Sequence, residues 1–304
     1  MGLLNSILAD TIYHSVPIIF CVIGGVFAYK ANVLNIALEG MMLIGAFVST
    51  ITVFFTGNMM LGLALALLAS LAFGLIFSVL GVTFNGNVIV IGLAINLLAS
   101  AIPRFVMAEM GVSNITLSNF DVAAHSISIP IIEDIPILGP IVSGHPILAY
   151  VAFIGIPLMW MLSYRTRFGT YVRVVGENED AAKSLGIRCD HYKYLAILIG
   201  AACCALAGVN LSTEDLGLFT NDMTASRGFI AIAAIYCGRG DPALSAFYAI
   251  LFGFARSLAI NLAIFAGPVS GLFDIIPYIL MVVVLTGVSL AKRRNVRTRG
   301  FQNG

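Results

Sequence analysis

Long apolar runs separated by short polar stretches dominate this chain. A membrane-spanning helix needs about 20 mainly apolar residues, and most of these runs reach that length. The seventh run is the exception, because 228–237 alone is too short to span, so we expect extended chain from Thr220 followed by a half-helix from Gly228. The pattern predicts an all-α polytopic membrane protein with about nine crossings, at 11–29, 40–56, 60–82, 88–107, 147–163, 194–211, 224–237, 244–264 and 274–291.

Two sets of four crossings run in opposite directions. Residues 11–107 form the first set, 194–291 the second, and 147–163 connects them. Each set is interrupted after its first helix, at 32–40 and at 213–228, and each interruption ends in a charged residue followed by Gly. Paired interrupted helices in opposed halves are typical of a transport pathway at a repeat interface. The alternative is that any two apolar stretches resemble each other.

Composition and charge place the chain in a membrane and orient it there. Hydrophobic residues make up 60% of the chain and charged residues 10%, too few to cover a soluble surface. The net charge of +1 gives no indication of a nucleic-acid partner, and the cysteines lack metal-ligand spacing, so we expect no cofactor. Residues 165–193 carry six Lys or Arg and 292–304 carry five, whereas 111–146 and 212–226 carry none. The positive-inside rule therefore predicts a cytoplasmic C-terminus and, with nine crossings, an outside N-terminus.

The polar segment 165–193 contains a short helix with signals at both ends. Asn178 suits the N-cap position, and Gly186 suits the C′ position beyond the helix. The residues between favour a helix of about two turns, which is marginal alone in water and is therefore expected to dock against something. The docking residues that we predict are Glu177, Asn178, Glu179, Asp180, Ala181, Ala182 and Gly186.

Several polar residues fall within apolar segments, where they are functional candidates. Asn96 has two equally open roles, an interhelical hydrogen bond or a place on the pathway. Glu39 can face a cavity or the cytoplasmic interface, or it can simply be an acidic residue that the helix dipole favours at a helix start. Arg227 can cap the broken segment or line the path. Arg256 can snorkel to the headgroups or line a cavity. The candidate pathway residues are Asn35, Glu39, Asn96, Arg227, Arg256 and Asn261.

Four motifs, in order along most of the chain, resemble the permease subunits of bacterial ABC importers. They are NIALEGMM from Asn35, GLAINLL from Gly92, VGEN from Val175 with the later Gly186-Ile187, and TASRGFIA from Thr224. The pattern is similar to the branched-chain amino acid and simple-sugar permease family, and within it to the nucleoside-uptake branch. The resemblance implies an ATPase subunit, a second permease subunit and an extracytoplasmic substrate-binding protein as partners. The second permease can be a related chain or a second copy of this one.

The resemblance also implies roles for two polar segments. Residues 177–186 would form a coupling helix seated on the ATPase. The alternative, an amphipathic helix lying on the inner leaflet, is disfavoured because the segment lacks an apolar aromatic face. The loop 111–146 would receive the substrate-binding protein or, alternatively, pack as a lid on its own helices.

The leading hypothesis is a nucleoside permease subunit in a bacterial plasma membrane, translocating by alternating access. The chain has no Gly-x-x-x-x-Gly-Lys-Ser/Thr sequence, so we expect ATP hydrolysis on a separate subunit and no enzyme activity here. A permease for a simple sugar is the nearest alternative. An ion-coupled secondary transporter is the alternative from another class, and it is weakened because Glu39 is almost the only mid-span carboxylate.

Overall fold

The computed structural model of the chain describes residues 2–117, 126–127 and 143–302, with side chains within 6–117, 143–264 and 271–290. The helices are α1 (Gly2–Lys30), α2 (Leu38–Thr56), α3 (Met59–Ser78), α4 (Val88–Glu109), α5 (Ile147–Arg165), α6 (Arg167–Glu177), α7 (Glu179–Ser184), α8 (Cys189–Val209), α9 (Arg227–Cys237), α10 (Pro242–Ala266) and α11 (Ile276–Gln302). Two π-helical turns, Val79–Thr83 and Asn210–Leu216, extend α3 and α8, and a 3₁₀ segment, Gly267–Ile275, precedes α11.

The predicted all-α membrane architecture is confirmed. Eight helices in the described ranges are long and apolar enough to cross a membrane, and α9 is a shorter apolar helix of 11 residues. The seventh predicted crossing is broken as expected: a short strand, β4 (Leu218–Thr220), and a turn precede α9.

The packing of the helices has a repeated pattern. Helix α1 packs against α8, α9 and α10, while α8 packs against α1, α2 and α3. The two sets of contacts correspond if α1 is matched with α8, α2 with α9 and α3 with α10. Two related halves would have this arrangement. The opposite membrane directions of the halves stay a prediction.

The buried and exposed helices differ in a way that bears on partners. Helices α1, α2 and α8 are largely buried, and small residues such as Gly24 and Gly200 let α1 and α8 approach closely. In the apolar stretches of α3, α4, α5 and α11, no more than 33% of the residues are buried. Apolar surface on this scale requires lipid or another subunit to cover it.

Three features differ from the sequence-based expectations or were not predicted. Helix α1 begins at Gly2, well before the predicted start at residue 11. Helix α6 was not predicted as a separate element, although Phe168, Val172 and Val175 recur on one face of it and pack inward. Short strands also form: β1 (Asn114–Thr116) pairs antiparallel with β4, and β2 (Ser126–Ile127) pairs with β3 (His145–Pro146). Most of the proposed receiving loop 111–146, and the side chains of the tail 292–304, lie outside the described residues.

Candidate functional site: a cavity between two internal helix starts

Glu39, in the first turn of α2, caps the start of α9. The Ser226 N–H donates to Glu39 Oε1 at 3.0 Å, and the Gly228 N–H donates to Glu39 Oε2 at 2.6 Å. The first N–H groups of a helix have no partner within that helix, and Ser226 supplies no side-chain cap to α9. A carboxylate also interacts favourably with the positive end of the helix dipole. Glu39 therefore satisfies, from another helix, donors that would otherwise be stranded inside the bundle.

Asn96, in the middle of α4, does the same for the start of α2. The Gly40 N–H donates to Asn96 Oδ1 at 2.8 Å, and Asn96 Nδ2 donates to the Ile36 carbonyl oxygen at 3.0 Å. Asn35 adds a local bond, since its Oδ1 accepts from the Ala37 N–H at 3.1 Å. Caps thus run in sequence from α4 to α2 and from α2 to α9.

The glycine after each charged residue makes these contacts possible. A Cβ on Gly40 would lie 2.9 Å from the Asn96 Cα, and a Cβ on Gly228 would lie 2.6 Å from the Glu39 Cα. Both distances are too short for a side chain without backbone movement. The two charged-residue–Gly pairs seen in the sequence are therefore close-approach points, and Glu39 and Gly228 contact each other directly.

These two helix starts border a cavity of about 470 Å³. Of the predicted pathway residues, Glu39 and Asn96 line it. Asn96 therefore both lines the cavity and makes an interhelical hydrogen bond, so its two proposed roles coincide. The lining residues are Glu39, Gly40, Leu43, Leu93, Asn96, Leu97, Ser100, Asp222, Thr224, Ala225, Ser226 and Phe229.

The turn before α9 holds an unfavourable backbone conformation at the cavity wall. Asp222, Ala225 and Ser226 have φ values of 56°, 45° and 62°. The left-handed region costs an L-residue roughly 1–2 kcal/mol per position, and such strain persists only where surrounding contacts impose it. The Glu39 carboxylate holds the turn at Ser226, and Arg104 of α4 forms an ion pair with Asp222.

Arg227 braces the same turn without lining the cavity. Its Nη1 donates to the carbonyl oxygens of Met223 at 3.0 Å and Thr224 at 3.2 Å, and the residue is 8% exposed. These bonds correspond to the predicted capping role within the broken segment.

Arg256 and Asn261 lie elsewhere, on α10. Asn261 Nδ2 donates to Asp10 Oδ2 at 2.7 Å and to the Ser257 carbonyl oxygen at 3.0 Å, which ties α10 to α1. Neither residue is among those lining the cavity, and neither is Asn35. A pathway role for these three stays a prediction that the cavity does not support.

The predicted docking helix is α7, and both of its ends have the expected geometry. Asn178 Oδ1 accepts from the Ala181 N–H at 3.0 Å. Gly186 has a φ of 79°, and the Ile187 N–H donates to the Ala182 carbonyl oxygen at 3.0 Å, which closes the C-terminus in the left-handed manner that favours glycine.

Glu179 fastens α7 to the start of α8. Its Oε1 lies 2.8 Å from Lys183 Nζ and its Oε2 lies 2.5 Å from Lys193 Nζ. Hydrogen bonds from Lys183 and Lys193 lower the pKa of the Glu179 carboxyl below its usual value. Glu179 therefore braces α7 within the chain.

Both Ala181 and Ala182 were predicted to be docking residues, and the prediction is wrong for Ala182. Ala182 is fully buried against Val175 and Cys189, so it faces its own protein. Ala181 is exposed, as are Glu177, Asp180 and Gly186. Sequence reasoning also missed Leu185, which is 76% exposed at the end of α7. A large apolar residue in so polar a loop was the signal that could have identified it.

Comparison with known proteins shows which protein family this chain is similar to. Residues 7–285 match the family model described as the permease component of the branched-chain amino acid transport system. The chain is 33% identical to the guanosine ABC transporter permease protein NupQ of Bacillus subtilis, covering 94% of this chain and 92% of that protein. It is 31% identical to the nucleoside ABC transporter permease protein NupC of Lactococcus lactis, covering 93% and 92%. It is 25% identical to the glucose ABC transporter permease protein TsgB13 of Haloferax volcanii, covering 92% and 76%.

We expect Glu39→Gln to destabilise the fold. The amide can accept from only one of the two N–H donors with its single oxygen, and its NH₂ group opposes the other donor. Leaving a buried donor unsatisfied costs about 1–3 kcal/mol. The measurement is thermal unfolding of the purified protein in detergent. Glu109→Gln, at the exposed end of α4, is the matched control, and equal melting temperatures for the two variants would contradict the capping role.

We expect Ala182→Leu and Ala181→Leu to separate packing from surface effects. Leucine at buried position 182 overpacks the contact with Val175 and Cys189, which costs about 1–3 kcal/mol, whereas position 181 faces solvent and should tolerate it. The measurement is again the melting temperature of each variant. A loss at 181 as large as that at 182 would show that this assignment of faces is wrong.

Proposed function

Because this chain belongs to the family of permease components of branched-chain amino acid transport systems, we propose that it is the membrane-spanning permease subunit of an ATP-driven nucleoside importer. The nucleoside assignment is supported by the names of the relatives at 33% and 31% identity. ATP hydrolysis would take place on a separate ATPase subunit, and this chain would supply the path and no catalytic group.

The choice of solute rests on one observation: the charged side chains at the cavity already have partners within the protein. The Glu39 carboxylate occupies the start of α9, the place where a broken helix would otherwise receive an anionic group of the solute. Asp222 is paired with Arg104. The described lining includes no Lys or Arg. An amino acid carboxylate or a phosphate would find no open cationic partner there, so the site favours an uncharged polar solute.

The rest of the lining suits a nucleoside. Phe229 is 39% exposed at the cavity and offers a ring on which a flat base can stack. Ser100 and Ser226 offer hydroxyl groups that can hydrogen-bond to a sugar. A simple sugar could also hydrogen-bond to these hydroxyl groups, but it has no flat base to stack on the Phe229 ring.

The engagement of Glu39 also disfavours an ion-coupled secondary transporter. Both oxygens of this carboxylate accept hydrogen bonds from backbone N–H groups. A carboxylate used in this way is a structural cap, and binding a coupling ion would remove the cap from α9.

A second permease subunit would complete the cavity. Leu93 and Leu97 line the cavity from α4, where they are 47% and 70% exposed. An apolar α4 face continuous with the cavity suits contact with a second, related permease. We assign the path to the junction between the two subunits.

The α6–α7 end of the bundle would be cytoplasmic and would receive the ATPase. Leu185 projects there, beside a cavity of about 420 Å³ lined by Lys183, Ile187, Arg188, Cys189, Asp190 and His191. A projecting apolar side chain next to a recess suits a partner groove. The bacterial relatives support a location in a bacterial plasma membrane. The distribution of Lys and Arg supports an outside N-terminus and a cytoplasmic C-terminus, and the substrate-binding protein would dock at the outer end.

Reconstitution tests the function directly. The chain would be co-expressed with its neighbouring ATPase and permease subunits, placed in lipid discs and supplied with the binding protein. We expect ATP turnover to rise with guanosine, adenosine or uridine and not with leucine or a nucleoside monophosphate. Stimulation by glucose alone would replace the nucleoside with a sugar, and failure to form any complex with an ATPase would overturn the importer assignment.

We expect Leu185→Glu to impair ATPase docking while leaving the fold intact, because the residue is 76% exposed. Placing a charge in a buried apolar contact of the complex should weaken assembly by at least about tenfold, equivalent to ~1.4 kcal/mol. The measurement is co-purification of the ATPase with the permease. Ser184→Glu, at an exposed position one residue earlier, is the control. Equal ATPase recovery in both variants would remove Leu185 from the interface.

A further inference from the structure

Tyr164, at the end of α5, is contacted by charged residues from three other segments. Its hydroxyl donates to Asp241 Oδ2 at 3.0 Å. Lys30 Nζ, from the end of α1, lies 3.9 Å from the ring centroid, and Arg173 Cζ, from α6, lies 5.2 Å from it. We propose that Tyr164 is a positioning residue that couples the cavity to the ATPase-docking helices, an inference that rests on the proposed transport function.

The first link is Asp241, which follows α9 closely in the chain. Its Oδ1 accepts from the Leu244 N–H at 2.9 Å and so caps α10, while its Oδ2 accepts from Tyr164. The Asp241 N–H donates to the Gly238 carbonyl oxygen at 2.9 Å, just past the end of α9. One carboxylate therefore fixes the α9–α10 turn to α10 and to α5 at once.

The second link is α9 itself. It has 11 residues, so it is about 16 Å long at ~1.5 Å per residue. Phe229, in its first turn, lines the cavity, and Tyr236, in its last turn, packs edge-on against Tyr29 with ring centroids 5.1 Å apart. Helix α9 is short and rigid, with one end at the cavity and the other beside Lys30 and Asp241. A displacement of the cavity end would therefore also move the other end.

The third link joins Arg173 to the docking helix. Asn178 ends α6 and also caps α7, so the two helices share a residue. Val175 of α6 packs on Ala182 of α7 within one buried cluster. Helices α6 and α7 therefore move together, and Arg173 over the Tyr164 ring connects this pair to the end of α9.

The geometry separates two contributions of the tyrosine. The ring attracts two cations through its face, and a phenylalanine ring keeps that attraction. The hydroxyl alone makes the bond to Asp241. Removing only the hydroxyl should leave the packing of α1, α5 and α6 in place while releasing the α9–α10 turn.

The test uses Tyr164→Phe in the assembled complex in lipid discs, with guanosine and the binding protein as the probe. We expect normal assembly, unchanged basal ATP turnover, and a loss of guanosine stimulation of about fivefold, equivalent to ~1 kcal/mol for one hydrogen bond. Tyr171→Phe, a half-exposed tyrosine on α6, is the matched control and should keep full stimulation.

A double-mutant cycle distinguishes coupling from general weakening. Asp241→Asn keeps an oxygen that can cap α10 and changes the partner of Tyr164. If the two residues act through one bond, the double variant should lose no more stimulation than either single variant. Additive losses would contradict the inference. If the Tyr164→Phe complex does not assemble, the inference is tested by the basal and guanosine-stimulated ATPase rates of the Asp241→Asn complex alone.

The failure of this inference is separable from that of the proposed function. An unaltered complex that guanosine stimulates, together with a Tyr164→Phe complex that it stimulates equally, overturns the role of Tyr164 and leaves the importer in place. An unaltered complex that no nucleoside stimulates overturns the nucleoside function, and the inference falls with it.

Discussion

A helix that starts inside a membrane bundle must find partners for its first N–H groups within the protein, because lipid offers none. Two helices here, α2 and α9, have their first turns largely buried within the bundle. Asn96 supplies one acceptor to the first of these helices, and Glu39 supplies two to the second. The positions of α4, α2 and α9 follow from these bonds, and so does the cavity, since the irregular backbone that precedes each helix forms part of its wall.

The same caps explain the chemical character of the cavity. A bare helix start attracts anions, whereas one already occupied by a carboxylate does not. Using Glu39 as the cap leaves hydroxyls, an amide and an aromatic ring facing the cavity with little unbalanced charge. The strained turn at 222–226 is held closed by polar contacts at both ends, at Asp222 and at Ser226. A wall held by a few polar bonds can be rearranged more readily than one packed from apolar side chains, which suits a site that must open to each side in turn.

The sequence predicted the features that depend on local information. Hydropathy located the spans because crossing length is set by the bilayer, and the caps of α7 could be predicted because Asn178 and Gly186 act within a few residues. The cavity depends on contacts that are distant in the chain. Glu39 and Ser226 are 187 residues apart. Polarity alone could not separate Glu39 and Asn96, which line the cavity, from Arg256 and Asn261, which lie on α10 away from it, since all four are polar residues in apolar helices. Ala182 was misassigned for a related reason, because composition identifies a helix former but not the face that it presents.

The short length of α9 has a mechanical consequence. A full crossing would begin at the far surface, where water could satisfy its first N–H groups, and its ends would be fixed in both headgroup layers. An 11-residue helix begins at the cavity and ends at the polar cluster around Asp241. Both ends are then held by directional polar bonds rather than by lipid, at Glu39 on one side and at Tyr164 on the other. Such a helix has two discrete attachments through which a change at the cavity and a change at the docking helices can each bias the other, and this reciprocity is what an importer driven by a separate ATPase requires.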